Sequence, residues 1–474
     1  MDNMRNFSNN KNNPAPARRN RTLGFLLLSV GLAFFTTILG YLIFRLMISE
    51  ETDRLFLIYS IGVVCTCLTI FIIGLFLSRE NQNILVLFLA SIGISFYLVE
   101  IVLELSPKTT RAEIARGLGI DFDERTKIEV TEELRSEGYN VSVRMPSLLL
   151  SEGLETGRGR IFPIGNISNS LVVYCNEGGE WSLIQSDSRG FISRSASYDQ
   201  RRVNVILVGD SFAEGACVRY DDTVTGILDT NGWLPISLGR GGHGPLRTYV
   251  SLREYALTLK PRYVLWLYFE GSDMSDLYWK EEGNELLNRY LTDPDYTQNL
   301  FFRQVEIDRA LLEVQQSAVT QAKKMAEKKE DNFLPFNSVW RVIRMMNLSH
   351  ILLGNLTNKN RHIPNETLIT FDLIMRETKT MVDQWNGNFV FVYLPSFYRY
   401  SNIFKRWRYP ENRRFKEQIQ EILRAYGITI IDIAETFGKH HDPLSLFPLR
   451  TRGHYTPEGY RLISEEILSS IGTP

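Results

Sequence analysis

The chain has 474 residues, enough for about three domains at roughly 150 residues each, and it is 44% hydrophobic and 23% charged, which excludes a disordered or collagen-like chain. Its 53 basic and 54 acidic side chains cancel, so there is no global charge to hold a nucleic acid backbone. Four cysteines without Cys-x-x-Cys or Cys/His spacing exclude a disulfide scaffold and a structural zinc site, and no cofactor motif is present.

The apolar residues are concentrated in the first hundred positions. Three stretches, Thr22 to Met47, Leu55 to Leu77 and Ile84 to Leu105, each reach the ~20 residues that a helix needs to cross the ~30 Å hydrocarbon core. The second carries no charge, and the first is too long for a cleaved signal peptide and is followed by two more. In the third, Glu100 and Glu104 follow the apolar run and fit best at the membrane interface. The spans contain too few polar residues for a transport path.

Arg5, Lys11, Arg18, Arg19 and Arg21 precede the first span, whereas the loop after it reads Ser49-Glu50-Glu51-Thr52-Asp53-Arg54. Positive charge stays inside, so residues 1–21 form a cytoplasmic tail and residues 22–105 three transmembrane helices. Everything beyond is expected to be extracytoplasmic, periplasmic in a Gram-negative host. In that oxidising space Cys175 and Cys217 are either a disulfide or two small buried hydrophobes, while Cys65 and Cys67 pack within the second span.

Residues 106–200 read as a small β-rich lead-in, with short apolar alternations such as Ser170-Leu171-Val172-Val173-Tyr174. From 201 to 474 strand and helix alternate. Apolar runs at Val203–Val208, Ile236–Leu238, Tyr263–Phe269, Phe389–Leu394 and Ile428–Ile433 are separated by helical segments at Thr248–Leu259, Asn412–Tyr426 and Pro457–Ile471. This is the pattern of an α/β fold, a parallel sheet covered on both faces, with ligands at the carboxyl ends of the strands. An insertion at about 275–365 carries a charged helix from Arg303 to Asp331, a solvated face or a lid.

Gly209-Asp210-Ser211-Phe212 directly follows the first strand of that sheet, so the Ser211 hydroxyl emerges at a strand end on a tight turn. The same residues are ordinary turn chemistry, so a nucleophile also requires a base. Of six histidines, His454 lies just before the last helix, whose start Thr456 and Pro457 mark, and His243 lies in the turn Gly239-Arg240-Gly241-Gly242-His243-Gly244-Pro245. That turn presents several backbone N–H groups suited to an oxyanion; it lacks the Lys and Ser/Thr of a phosphate loop.

Together these motifs resemble the SGNH, or GDSL-type, hydrolase family of esterases and acyl-ester hydrolases over roughly residues 200–472, and its membrane-anchored bacterial branch through Cys175-Asn176-Glu177 and Tyr268-Phe269-Glu270-Gly271. The resemblance implies an SGNH-like α/β/α domain. It also implies Ser211 as nucleophile and oxyanion donor, Gly242 as second donor, and His454 as general base. Two positions depart from it. Glu270-Gly271-Ser272-Asp273 has Ser272 where the family has its oxyanion asparagine, a shorter hydroxyl that still can donate as the third oxyanion group, and Thr451 stands three residues before His454 where the family has the acid. Asp442, in His441-Asp442-Pro443, is the nearest upstream carboxylate, and a backbone carbonyl is the other orienter considered.

The expected function is a membrane-anchored extracytoplasmic serine esterase or acyltransferase acting on O-acyl esters, such as those of a cell-envelope or exported polysaccharide. The alternative is a catalytically degenerate domain that binds glycan or a partner protein in an envelope assembly. Phe212, Trp266, Tyr268, Phe269, Trp279, Tyr393, Phe397, Tyr398 and Tyr400 are core aromatics or a sugar-stacking platform. Arg399, Lys405, Arg406 and Arg408 face an anionic glycan, lipid headgroups or solvent. The expected partners are the bilayer and an acylated substrate, with no nucleic acid, and Asn140 and Asn347 stand in glycosylation sequons.

Overall fold

The computed structural model describes residues 23–48, 51–106, 109–144, 153–194, 198, 203–331, 336–353, 363–401 and 415–474. The basic residues before the first span, Thr22, Ser49, Glu50, Lys405, Arg406 and Arg408 lie outside the described residues. The chain divides into two compact units, residues 1–107 with 335–358, and residues 108–334 with 359–474.

The first unit holds helices α1 (Leu23–Ile48), α2 (Glu51–Leu75) and α3 (Arg79–Leu105), each long and apolar enough to cross a membrane. Large apolar side chains such as Phe34, Phe44, Leu87 and Phe88 are exposed, the pattern of a lipid-facing surface. Hydroxyls of Thr36, Thr37, Thr66, Thr69, Ser91 and Ser95 donate to the carbonyl one turn back. They are thereby satisfied without water, as a hydrocarbon core requires.

Two helices of the insertion, Phe336–Ile343 and Met346–Leu353, belong to this unit. Glu100 is fully buried and its carboxylate accepts from the Asn347 and Leu348 backbone N–H groups at 2.8 and 2.7 Å, completing the start of the second helix. Glu104 pairs with Arg341 at 3.1 Å and accepts from Asn347 Nδ2 at 2.7 Å. The two carboxylates are thus occupied by protein donors, and Asn347 is engaged by both.

In the second unit the lead-in begins with helices Arg111–Gly117 and Lys127–Ser136, each opened by a Thr/Glu capping box. A three-stranded sheet follows, in which β1 (Val141–Val143) runs parallel to β2 (Leu171–Val173) and β3 (Leu183–Gln185) antiparallel to it. Strands β4 (Val205–Gly209), β5 (Pro235–Ser237), β6 (Tyr263–Phe269), β7 (Asn388–Leu394) and β8 (Thr429–Asp432) then form an all-parallel sheet in the order β5-β4-β6-β7-β8. Buried side chains alternate between its two faces. Ile206, Val208, Val264 and Trp266 enter one core with helices Pro245–Ser251 and Thr367–Asp383, while Val205, Leu207, Leu265 and Leu267 enter another with Pro457–Ile471.

The strand order reverses beside β4, and the crevice outside the carboxyl ends of β4 and β6 is where such sheets bind ligands. The first half of the insertion stays with this unit: Ile307 and Leu311 of helix Gln304–Asp331 are buried in the core, while Glu306 on the same helix pairs with Arg158 of the lead-in.

Candidate active site

Gly209 ends β4 at φ 144°, and a Cβ there would lie 2.3 Å from the Leu267 carbonyl oxygen, so the turn after the strand requires glycine. Asp210 then caps the short helix Ser211–Glu214, accepting from Phe212 N–H at 2.9 Å. This places Ser211 at the first helical position, with its side chain at the strand end.

His454 arrives from the other end of the sequence on the loop before helix Pro457–Ile471, whose start is fixed by the Thr456 cap and Pro457. Leu449 and Arg450 take left-handed φ values of 53° and 54° to turn the chain into that loop. Phe212 packs on the imidazole with ring centroids 4.9 Å apart and on Tyr455 at 4.6 Å, giving the histidine an aromatic floor. His454 Nε2 lies 2.8 Å from Ser211 Oγ.

Glu177 lies on the opposite side of the ring. Its Oε2 is 3.2 Å from His454 Nδ1 and accepts from the His454 backbone N–H at 2.7 Å, so one carboxylate oxygen fixes both the ring and its backbone. Arg111 holds the other oxygen at 3.3 Å and also donates to the Arg452 carbonyl. Burial pushes the Glu177 carboxyl up, but the His454 hydrogen bonds and the charges of His454 and Arg111 outweigh it and bring it down to about 2. Glu177 is therefore an anion at neutral pH, aimed at Nδ1. A proton on Nδ1 leaves Nε2 free to accept from Ser211 Oγ.

Asp442 is elsewhere. Its carboxylate is bidentate to Arg450, with one contact at 3.0 Å, and it is not the carboxylate facing His454. The physical reason is local: Asp442 N–H donates to His440 Nδ1 and the following 3-10 turn directs its side chain to Arg450. Thr451 closes the next 3-10 turn, Pro448–Arg450, its hydroxyl donating to the Pro448 carbonyl at 3.0 Å. His243, the other histidine considered as base, is buried, and burial followed by Arg240, Arg247 and Arg144 holds it well below the usual imidazole range. It is a neutral core residue.

The glycine turn is tied to the Ser211 helix through Glu214, which accepts from Gly241 N–H at 2.6 Å and from Asn166 at 3.1 Å. Gly242 adopts φ 80°. Among the described residues the backbone N–H groups of Ser211 and Gly242 donate to no protein acceptor. Ser272, at the carboxyl end of β6, is half-buried, and its hydroxyl lies 3.5 Å from Asp273 Oδ1. Burial raises Asp273 and Asp210, each also raised by another buried carboxyl nearby, so this floor of the crevice favours protonated carboxyls.

Cys175 and Cys217 form a disulfide, and Cys217 Sγ lies 3.4 Å from His454 Nδ1. These three side chains are the group among the described residues with metal-ligand composition, their ligand atoms within 4.8 Å of one another; in the disulfide both sulfurs are already bonded to each other. Cys65 and Cys67 are free thiols of α2. Of the aromatics named from sequence, Trp266, Tyr268 and Tyr393 are core, Phe212 lies under His454 and Trp279 is exposed. Arg399 is committed to Glu270, donating from Nε at 3.0 Å.

Glu177 is the residue that sequence reasoning missed as part of the site. The arrangement as a whole is a hydroxyl, an imidazole and a carboxylate in one hydrogen-bonded line, with the Ser211 and Gly242 N–H groups, which have no protein acceptor among the described residues, on the neighbouring turns. It has the parts for deprotonating Ser211 as it attacks an acyl carbon and for holding the resulting oxyanion.

No protein-family model matches the chain, and no curated protein matches it. Among solved structures it is similar to a lipase/acylhydrolase from Enterococcus faecalis, at 13% identity and a TM-score of 0.31 over 57% of this chain and 95% of that one. It is similar as well to an acetyl xylan esterase, at 13% identity and a TM-score of 0.29 over 57% and 100% of the two chains. A GDSL-like lipase from Bacteroides thetaiotaomicron gives 12% identity and a TM-score of 0.27 over 58% and 91%.

Proposed function

We propose that the chain is a membrane-anchored serine esterase or O-acyltransferase of the SGNH type, working outside the cytoplasmic membrane on O-acyl esters of a cell-envelope or exported polysaccharide. The observation that carries this reading is the line Ser211 Oγ, His454 Nε2, His454 Nδ1, Glu177 Oε2, with contacts of 2.8 and 3.2 Å. In the proposed reaction His454 takes the Ser211 proton as Oγ bonds to the ester carbonyl carbon. The carbonyl electrons move onto the oxygen, held by the N–H groups of Ser211 and Gly242. As the intermediate collapses, His454 returns the proton to the leaving alcohol, and water or a second alcohol then releases the acyl group by the same steps.

The competing reading, a degenerate binding domain, drew on Thr451 and Ser272. Glu177 supplies the carboxylate that Thr451 does not, which favours the enzyme. The placement outside the membrane is supported by the charge asymmetry around the first span and by a disulfide in the second unit. The test is acetate release from an O-acetylated polysaccharide by the full chain in detergent. Release by wild type and not by Ser211→Ala supports the proposal; equal release by both overturns it.

A further inference from the structure

The disulfide lies against the candidate site. Cys217 lies six positions after Ser211, at φ 66°, and the backbone between them folds back so that Ala216 N–H donates to the Ser211 carbonyl at 2.9 Å. Cys175 lies two positions before Glu177, just past β2. The bond therefore joins the segment that carries the serine to the segment that carries the carboxylate, and its Cys217 sulfur touches the Nδ1 atom that both segments serve.

Away from the bond the lead-in is built into the main core through Phe162, Ile164 and Phe191, and Arg240 donates to the Ile164 carbonyl; beside the bond the ties are fewer. The buried cluster beside the bond consists of Val172, Tyr174, Ile184, Ile192, Ala216 and Tyr220, small next to the two cores of the main sheet. Two side-chain hydrogen bonds cross there, Ser182 Oγ to the Val218 carbonyl at 2.6 Å and Asn166 Nδ2 to Glu214 at 3.1 Å. Asn176, between Cys175 and Glu177, gives its side chain to the Asp123 and Gly179 carbonyls, both in the lead-in. The Glu177 turn is thus built on the lead-in, while Ser211 is built on the main sheet. A catalytic hydrogen bond spanning two such segments needs their separation fixed to a fraction of an ångström.

We propose that Cys175 and Cys217 are positioning residues, whose bond holds Glu177 on His454 and so keeps Ser211 activated only while it is oxidised. This rests on the serine-enzyme reading above. Reducing the bond takes two electrons and two protons to give two thiols, and a water-soluble phosphine supplies the electrons while taking oxygen from water to become its oxide. Glu177 then loses the covalent tie that fixes its turn against the Ser211 segment, His454 Nδ1 loses the sulfur packed beside it, and the imidazole is held less firmly in line with Ser211.

The test uses the full chain in detergent. Its free thiols, Cys65 and Cys67, are first blocked with N-ethylmaleimide, and the chain is then treated with the phosphine. Mass spectrometry counts the newly alkylated cysteines, and the rate of Ser211 phosphonylation by a fluorophosphonate is measured before reduction, after it and after reoxidation. The labelling rate is expected to fall at least about tenfold on reduction, short of the ~10⁴-fold that loss of a triad acid can cost, and to recover on reoxidation. In Glu177→Gln, already without the charged orienter, reduction is expected to change the rate less than about twofold, because contacts acting through one another are not additive. A cross-link that only stabilises the fold would slow both proteins alike, and that result overturns the proposal. Equal labelling of oxidised and reduced wild type overturns it also, while leaving the serine enzyme intact. An oxidised wild type that never labels overturns the enzyme reading and the proposal together. Cys175→Ser with Cys217→Ser, judged folded by its melting transition, is expected to reproduce the reduced rate.

Discussion

Replacing Glu177 by Gln changes no heavy-atom count and little volume, yet the geometry predicts a large loss. In the wild type, Oε1 faces Arg111 at 3.3 Å while Oε2 faces two donors, His454 N–H and Nδ1. A glutamine has one acceptor oxygen for these three donors. With its oxygen toward Arg111, its NH₂ meets the His454 backbone N–H donor to donor and donates to Nδ1, which moves the imidazole proton to Nε2 and leaves no acceptor for the Ser211 proton. With its oxygen toward His454, the NH₂ faces a guanidinium. A triad acid that fixes the wrong tautomer costs about 10⁴-fold in turnover. The expected loss for Glu177→Gln is therefore about 10³- to 10⁴-fold in kcat, or about 4 to 5.5 kcal/mol, with KM nearly unchanged. Glu177→Asp keeps the charge and withdraws it by about one bond, so about 10²-fold is expected. Hydrolysis of a p-nitrophenyl ester by the full chain in detergent measures both. A Glu177→Gln enzyme within threefold of wild type, with Asp442→Asn falling instead, would refute the assignment of the orienting carboxylate.

Three further outcomes follow from other contacts. Ser272→Ala is expected to lower kcat by less than about tenfold, against the ~10²- to 10³-fold of a working oxyanion donor, because its hydroxyl is turned to Asp273 at 3.5 Å; steady-state kinetics decides it. Glu100→Ala leaves the Asn347 and Leu348 N–H groups without their buried acceptor, at about 1–3 kcal/mol each, and is expected to expose the 336–353 segment to limited proteolysis in detergent, where Glu100→Gln protects in part. Glu177 lies at about 2 in the fold against 4.5 ordinarily, so its contribution of about 3 kcal/mol is fully present above pH 4.5 and lost as pH falls toward 2. Acid titration of the melting temperature should show a shallower fall across that window in Glu177→Gln than in wild type.

The parts of the candidate site that the structure brings together as the sequence patterns expect are those encoded locally. Ser211 follows an apolar run and a glycine whose φ no other residue takes easily, and His454 precedes a Thr-Pro helix start; both patterns are a few residues long. Strand β6 falls at Tyr263–Phe269 and the last helix at Pro457–Ile471 as their patterns predict, because one is a β-branched and aromatic run and the other a capped amphipathic repeat. Glu177 was beyond this reach. It meets His454 across 277 positions, from a lead-in whose short strands carry little periodicity, and no spacing rule joins it to the histidine. Close to His454 in sequence the orienters on offer are Asp442, which Arg450 holds, and a backbone carbonyl.

The insertion shows the same limit. Helix Gln304–Asp331 has the period of an amphipathic helix and was legible as one. That the next two helices join the first unit depends on Glu100 and Glu104 meeting Asn347 and Arg341, partners more than two hundred positions away. Charges in an apolar span signal that a partner exists without naming it.

The central claim is an activated Ser211, and mapping a fluorophosphonate adduct on the folded full chain by peptide mass spectrometry tests it most directly. One adduct on the peptide containing Ser211, absent from His454→Ala and slowed by about 10³-fold or more in Glu177→Gln, is the result this account predicts. A folded wild-type chain whose Ser211 stays unmodified, or is modified equally without His454, would contradict it.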